Sequence, residues 1–177
     1  MDFLLQRIQS AIISATRGMS AEQLKWHPES KWSAAEILEH LSLTYRGTRI
    51  GCERCLQAEK PTTTAPTLKE RLSRIVVVNL SYMPKGRQAP PRSHPKGAPA
   101  ENIVASVQEQ IESMDEAICK CEERFGGRVR LINHPFLGPL TVPEWRKFHW
   151  VHARHHMRQI RWLKNAMPGN LSRQQNP

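Results

Sequence analysis

The sequence predicts an all-α protein: a four-helix bundle with a long crossover between its second and third helices that contains a short extra helix. Three observations carry that expectation. Four stretches of roughly 16–25 residues repeat apolar side chains at helical spacing. Most of their ends coincide with a cap, a Pro or a Gly. Residues 84–99, PKGRQAPPRSHPKGAP, hold five Pro and two Gly, so this stretch is an irregular connection rather than a helix.

The first helix is expected from about Asp2 to Arg17, with Phe3, Leu4, Ile8, Ala11, Ile12 and Ala15 on one stripe and Gly18 just past its end. The second starts at Ser33, an N-cap with Glu36 three positions on as a capping box, and runs through Ile37, Leu38, Leu41 and Tyr45 towards Leu56. A shorter helix, Leu68 to Leu80, belongs to the crossover, which is long enough to let the second and third helices run parallel. The third begins near Glu101, carries Ile103, Val107, Ile111, Met114 and Ile118, and stops at Gly126-Gly127. The fourth follows Pro143, a favoured first-turn residue, and reaches about Ala166 before Pro168-Gly169. Residues 1–167 are expected to form one domain and residues 168–177 a disordered tail.

The chain has 177 residues, a length that suits one domain. Lys and Arg number 26 against 16 Asp and Glu, a formal charge of +10. That excess is uneven: residues 100–123 carry −6 and residues 124–177 carry +9. Mean hydropathy is negative, and no apolar run approaches the roughly 18 residues a membrane span needs. The start, MDFLLQRIQS, lacks the basic region and apolar block of a secretory signal. A cytoplasmic location follows as the expectation, with its four cysteines as reduced thiols.

Eight residues are His, and four of them lie between His149 and His156. On a helical wheel that advances about 100° per residue, His156 falls about 40° and His149 about 60° from His152, with Gln159 about 20° to the other side. Trp145, Phe148 and Leu163 share that face, while Lys147, Arg154, Arg158 and Arg161 cluster opposite. The His face should therefore point inward, where an imidazole needs a hydrogen-bond partner or a metal. His152 and His156, at i and i+4, can converge on one ion. A third ligand must come from another helix, and the second helix offers His40 at the edge of its apolar face. Three imidazoles suit Zn, Ni, Fe or Cu and leave coordination positions open, as catalytic sites do. His149 with His152 is a rival pair, and His155 points to the other side. HARHH is not the HExxH of zinc proteases, because Ala153 stands where the general-base Glu would be.

Two elements resemble the DinB-like family of four-helix-bundle metalloenzymes. KWSAAEILEHL is similar to the family's W-S-x-x-E-x-x-x-H-L element, and HWVHARHHMRQI to its H-x-x-x-H-x-x-Q element. NHPFLGPLTVPEWRKF resembles the family's approach to the last helix. The resemblance covers most of the chain, residues 60–100 being the least constrained. It implies a divalent metal (Zn, Ni or Fe) held by His40, His152 and His156, with Gln159 beside the site, and a homodimer. It also implies a metal-dependent enzyme acting on a small-molecule substrate, of the thiol-dependent transferase type. In such a site the metal would lower the pKa of a bound thiol or water to give a nucleophile at neutral pH. Glu36 and His149 are the candidates for catalytic acid or base, Glu36 having the capping role as its competing explanation.

The remaining signals are weaker. Cys52-x2-Cys55 and Cys119-x-Cys121 fall within helices, and the second spacing is wrong for a zinc ribbon, so buried reduced thiols are the better reading. The five Trp are expected in core and rim packing. Arg154, Arg158 and Arg161, with Lys85, Arg87, Arg92 and Lys96 from the crossover, make a basic surface. A noncatalytic, stress-associated protein binding nucleic acid or another anionic partner is the alternative function. No helix-turn-helix, zinc finger or RNA-binding motif accompanies the basic residues, so a solvated charged face is preferred.

Overall fold

The computed structural model describes residues 1–84, 86 and 88–168. Within them the protein is mostly helical, with six α-helices and one small sheet. The expected tail beyond Pro168 lies outside the described residues, as do Lys85 and Arg87 of the basic surface.

The first helix, α1 (Phe3–Thr16), is capped by Asp2, whose carboxylate accepts the Leu4 N–H at 2.8 Å. Its buried stripe is Leu5, Ile8, Ile12 and Ala15. Phe3, placed on the stripe by its spacing, is instead 68% exposed beneath the Arg7 guanidinium. A short helix α2 (Ala21–Lys25) follows, closed by a Ser20–Gln23 capping box that the sequence reading passed over. The long α3 (Ala34–Gln57) starts at Ser33 with Glu36 completing its capping box. In the crossover, α4 (Leu68–Arg74) passes into a π-helical turn over Ile75–Asn79, so the expected helix to Leu80 changes its hydrogen bonding part-way. Among the described residues of the Pro-rich segment, a 3₁₀ turn, Pro91–Ser93, is the one regular piece.

The third long helix, α5 (Ile103–Phe125), ends where Gly126 takes φ 87°, a backbone conformation that other residues resist. The chain next forms a hairpin that the all-helical expectation omitted. Strands β1 (Arg130–His134) and β2 (Gly138–Thr141) pair antiparallel, with Ile132 opposite Leu140 and His134 opposite Gly138. The turn is closed by His134 Nδ1, which accepts the N–H groups of Phe136 and Leu137 at 3.1 and 3.2 Å. Gly138 takes φ 69°, which L side chains rarely adopt, and a Cβ there would press on Glu70 and Pro66 at 3.2 and 3.3 Å. Leu131, Ile132, Leu137 and Leu140 are buried, which gives this short sheet its stability. The last helix, α6 (Val142–Ala166), begins directly from β2 with Thr141 and Glu144 as its capping box.

The four long helices pack as pairs: α3 on α5, α1 on α6, α3 on α6 and α1 on α5. Each therefore contacts two others, and one continuous apolar cluster lies between them. Among the described residues no helix is long and apolar enough to cross a membrane. The hairpin covers α3 where Gly51 leaves room for Ile132. A Cβ on Gly51 would meet Ile132 Cδ1 at 2.5 Å, whereas one on Gly47, a turn earlier, would meet nothing. We expect Gly47→Ala to stabilise by about 0.5–1 kcal/mol through helix propensity. Gly51→Ala should instead destabilise by about 1 kcal/mol, since overpacking outweighs the same gain. Urea titration of the two variants checks the difference, and equal midpoints would contradict this close approach.

Candidate metal centre

The neighbouring turns of α3 and α6 bring three histidines together. His40 projects from α3, and His152 and His156 lie one turn apart on α6. One ring nitrogen from each lies within 4.8 Å of the others, a group that could hold a metal ion. The His152 Nε2 is 3.2 Å from His40 Nε2 and 3.0 Å from His156 Nε2. Two nitrogens bound at about 2.0–2.1 Å to one ion, roughly 95–105° apart, would stand about 3.0–3.3 Å from each other. As whole residues, His40 and His156 are buried and His152 is partly exposed.

Hydrogen bonds at the far side of two rings set which nitrogen faces the centre. His40 Nδ1 lies 2.7 Å from the Ser93 carbonyl oxygen, which only accepts, so Nδ1 carries the proton and Nε2 the lone pair. His156 Nδ1 lies 2.6 Å from Gln159 Oε1, which likewise only accepts, so its Nε2 is also bare. The Gln159 amide then donates from Nε2 to His155 Nε2 at 3.3 Å. His152 Nε2 thus faces two lone pairs and has one proton at most to offer. Without a cation, at least one of the two short contacts has no proton to bridge it. A metal ion at the centre satisfies all three nitrogens, and two of the three ligands already carry the outer hydrogen bond that orients metal-binding imidazoles. The His152 Nδ1 is buried without a partner among the described residues.

Burial and mutual repulsion keep these rings neutral, the state a metal ligand needs. Desolvation lowers His40 below the ordinary histidine value, with His94 nearby adding to it. It drives His156 down to about 3 and His152 well below 6.5, the neighbouring imidazoles adding to both shifts. Trp32 leans on His40 at 5.2 Å between ring centroids, and Phe148 stacks on His152 at 5.4 Å, giving the cluster an aromatic surround.

The other sequence-derived candidates are placed elsewhere. Glu36 uses its carboxylate on the Ser33 N–H at 2.7 Å, the capping role that competes with a catalytic one. His149 is fully buried outside the cluster, its Nε2 at 3.1 Å from Thr48 Oγ1 and its ring stacked on Trp145. Gln159 does meet His156. Cys52, Cys55 and Cys121 are buried and Cys119 is partly so, all four as unbridged thiols. Burial raises the Cys52 thiol far above its usual range. Arg154, counted with the outer stripe, instead donates to the Ser81 carbonyl at 2.7 Å, because the crossover folds over that side of α6. Arg158 and Arg161 remain exposed.

Two participants were missed. Ser93 acts through its main-chain carbonyl, which no side-chain pattern reveals. Glu39 is buried beside His40, and its carboxylate accepts the N–H groups of Lys96, Gly97 and Ala98 at 2.9, 3.0 and 2.9 Å. A charged residue next to a predicted ligand, on a helix otherwise rich in buried side chains, is the signal that could have found it.

A family model described as "Protein of unknown function (DUF1569)" matches residues 5–162 of the chain. No curated protein and no solved structure matches it.

Proposed function

The chain belongs to the DUF1569 family, and from its own site we propose that it is a metal-dependent enzyme acting on a small molecule. The observation that carries this reading is the convergence of three Nε2 atoms, two of them fixed as lone-pair donors by Ser93 and Gln159. Their number supports catalysis over a purely structural role: three protein ligands leave coordination positions for water and substrate.

His40, His152 and His156 would hold a divalent zinc, nickel or iron ion. Bound there, the metal would act as a Lewis acid that lowers the pKa of a coordinated thiol or water. The protein's part is to keep the three rings neutral and to orient two of them from behind. Trp32 and Phe148 pack against His40 and His152 and exclude water there, which strengthens electrostatic interactions inside. The paired packing of α1, α3, α5 and α6 supports a four-helix bundle, and both His elements in one site support a DinB-like relationship. A thiol conjugate as substrate and a homodimer as the working form rest on that relationship.

Elemental analysis of protein purified without a His tag tests the reading. We expect about one metal ion per chain, falling below about 0.2 in His152→Ala, because two imidazoles bind far more weakly than three. Wild-type protein below about 0.2 ion per chain after exposure to zinc, nickel and iron salts, with His152→Ala no different, would refute it.

A further inference from the structure

Glu39 and His40 are consecutive on α3, and both are tied to the same stretch of the Pro-rich crossover. His40 donates from Nδ1 to the Ser93 carbonyl. Three residues further along, the Glu39 carboxylate gathers three successive main-chain N–H groups, Lys96 to Oε1 and Gly97 and Ala98 to Oε2. Such a buried carboxylate with three charge-assisted bonds is a strong local anchor. The segment between the two attachments is short and stiff. Ser93 closes a 3₁₀ turn onto Pro90 through both its N–H and its hydroxyl, His94 donates to the Ala89 carbonyl, and Pro95 follows. Trp32 packs against both His40 and His94. Displacing residues 96–98 would therefore move Ser93 with them.

We propose that Glu39 is a positioning residue for the metal centre: it holds the crossover so that the Ser93 carbonyl selects the His40 tautomer and aims His40 Nε2 at the other two nitrogens. The inference rests on the three-His reading for its consequence, but the tautomer is a property of the metal-free protein as well. The Pro-rich segment is then part of the site and not a tether between helices. Glutamate is required because all three partners are donors. A glutamine would turn an N–H₂ group towards at least one of them, leaving N–H against N–H.

The test is Glu39→Gln in the full chain, read in two ways. In wild-type protein, imidazole ¹⁵N spectra at neutral pH and without metal should show His40 as the Nδ1–H tautomer. In Glu39→Gln that signal should shift to a tautomer mixture. The dissociation constant for zinc, from competition with a chromophoric chelator, should rise about 10–100-fold, the usual loss when a ligand's outer hydrogen bond is disturbed. Glu39→Asp, which keeps the charge but draws it back by one methylene, should fall between wild type and Glu39→Gln and serves if Glu39→Gln does not fold. Ile111→Val, a fully buried core substitution on α5, loses stability and should keep wild-type affinity. An unchanged His40 tautomer in the Glu39 variants, or a zinc affinity lost equally in Ile111→Val, would overturn the proposal. If wild-type protein binds no zinc, the metal reading fails while the tautomer result still decides the role of Glu39.

Discussion

Acidifying the metal-free protein from about pH 7 to about pH 4 is expected to unfold it, because its histidines are folded in their neutral form. An imidazole in the unfolded chain titrates near 6.5. Burial holds His149 and His156 down to about 3, with His134 adding to the shift on the first and His40 on the second. His40 and His152 are lowered too, chiefly by desolvation. Between about pH 6.5 and 3 the unfolded state therefore binds more protons than the folded state. Stability is full above about pH 6.5 and falls as pH drops through that window, by up to about 1.4 kcal/mol per pH unit for each such group. Two units into the window, several groups together cost several kcal/mol, a large share of the roughly 5–15 kcal/mol a domain has. Urea midpoints measured in a chelator from about pH 8 to 4 should give roughly two to four protons taken up on unfolding. Replacing His149 by Gln should lower that number by about one, even though the variant is less stable at neutral pH. Added zinc should move the acid midpoint downwards, since metal and proton compete for the same nitrogens. A stability that stays flat between about pH 7 and 4.5 would show that these imidazoles are not kept neutral by burial.

What the sequence made legible follows from how local each cause is. The long helices were readable because their apolar spacing and end signals lie within the segment itself, as at Ser33 and Glu36. The approach of His152 to His156 was readable for the same reason, being a matter of one helical turn. His40 was readable as a candidate third ligand from its place at the edge of the apolar face of α3, and the resemblance of two motifs named the same residue. The hairpin was not readable: its strands are short, and their pairing depends on how the connection folds back over α3. The partners of the rings also escaped notice. Ser93 contributes a carbonyl that any residue would have, and the value of Glu39 lies in main-chain donors more than 50 residues away. Arg154 was misplaced by the helical wheel, which shows direction from the helix axis but not what the crossover lays over that face.

Arg146 was missed for the same reason, and its removal carries the second large expectation: Arg146→Met should cost about 2–4 kcal/mol. Its guanidinium is 2.7 Å from Glu122, 3.6 Å from Asp2 and 3.8 Å from Asp115, joining α6 to α5 and to the cap of α1. Desolvation opposes its charge, but Glu122 and the neighbouring carboxylates more than compensate, so its pKa is raised. Glu122 and Asp2 keep part of their hydration, whereas the Asp115 side chain is 7% exposed. Methionine preserves the buried stem and leaves the Asp115 carboxylate with the N-terminal ammonium, the Asp2 N–H and the weakly donating Cys119 thiol close by, and no guanidinium. Breaking a buried pair on one side is costlier than never having had it, because the remaining charge is uncompensated. For a chain of this length the loss amounts to roughly 5–12 °C in Tm. Adding Asp115→Asn to Arg146→Met should recover about half of the loss by removing that charge. Lys120→Ala, which breaks a well-exposed pair with Glu116, should change stability by less than about 0.5 kcal/mol. A loss below about 1 kcal/mol for Arg146→Met, or no recovery in the double variant, would contradict this account. Because Arg146 ties α6 to α1 and α5 but not to α3, zinc affinity of the folded Arg146→Met protein should stay within about twofold of wild type. Glu39→Gln should show the reverse pattern, which separates what holds the helices together from what aims the histidines.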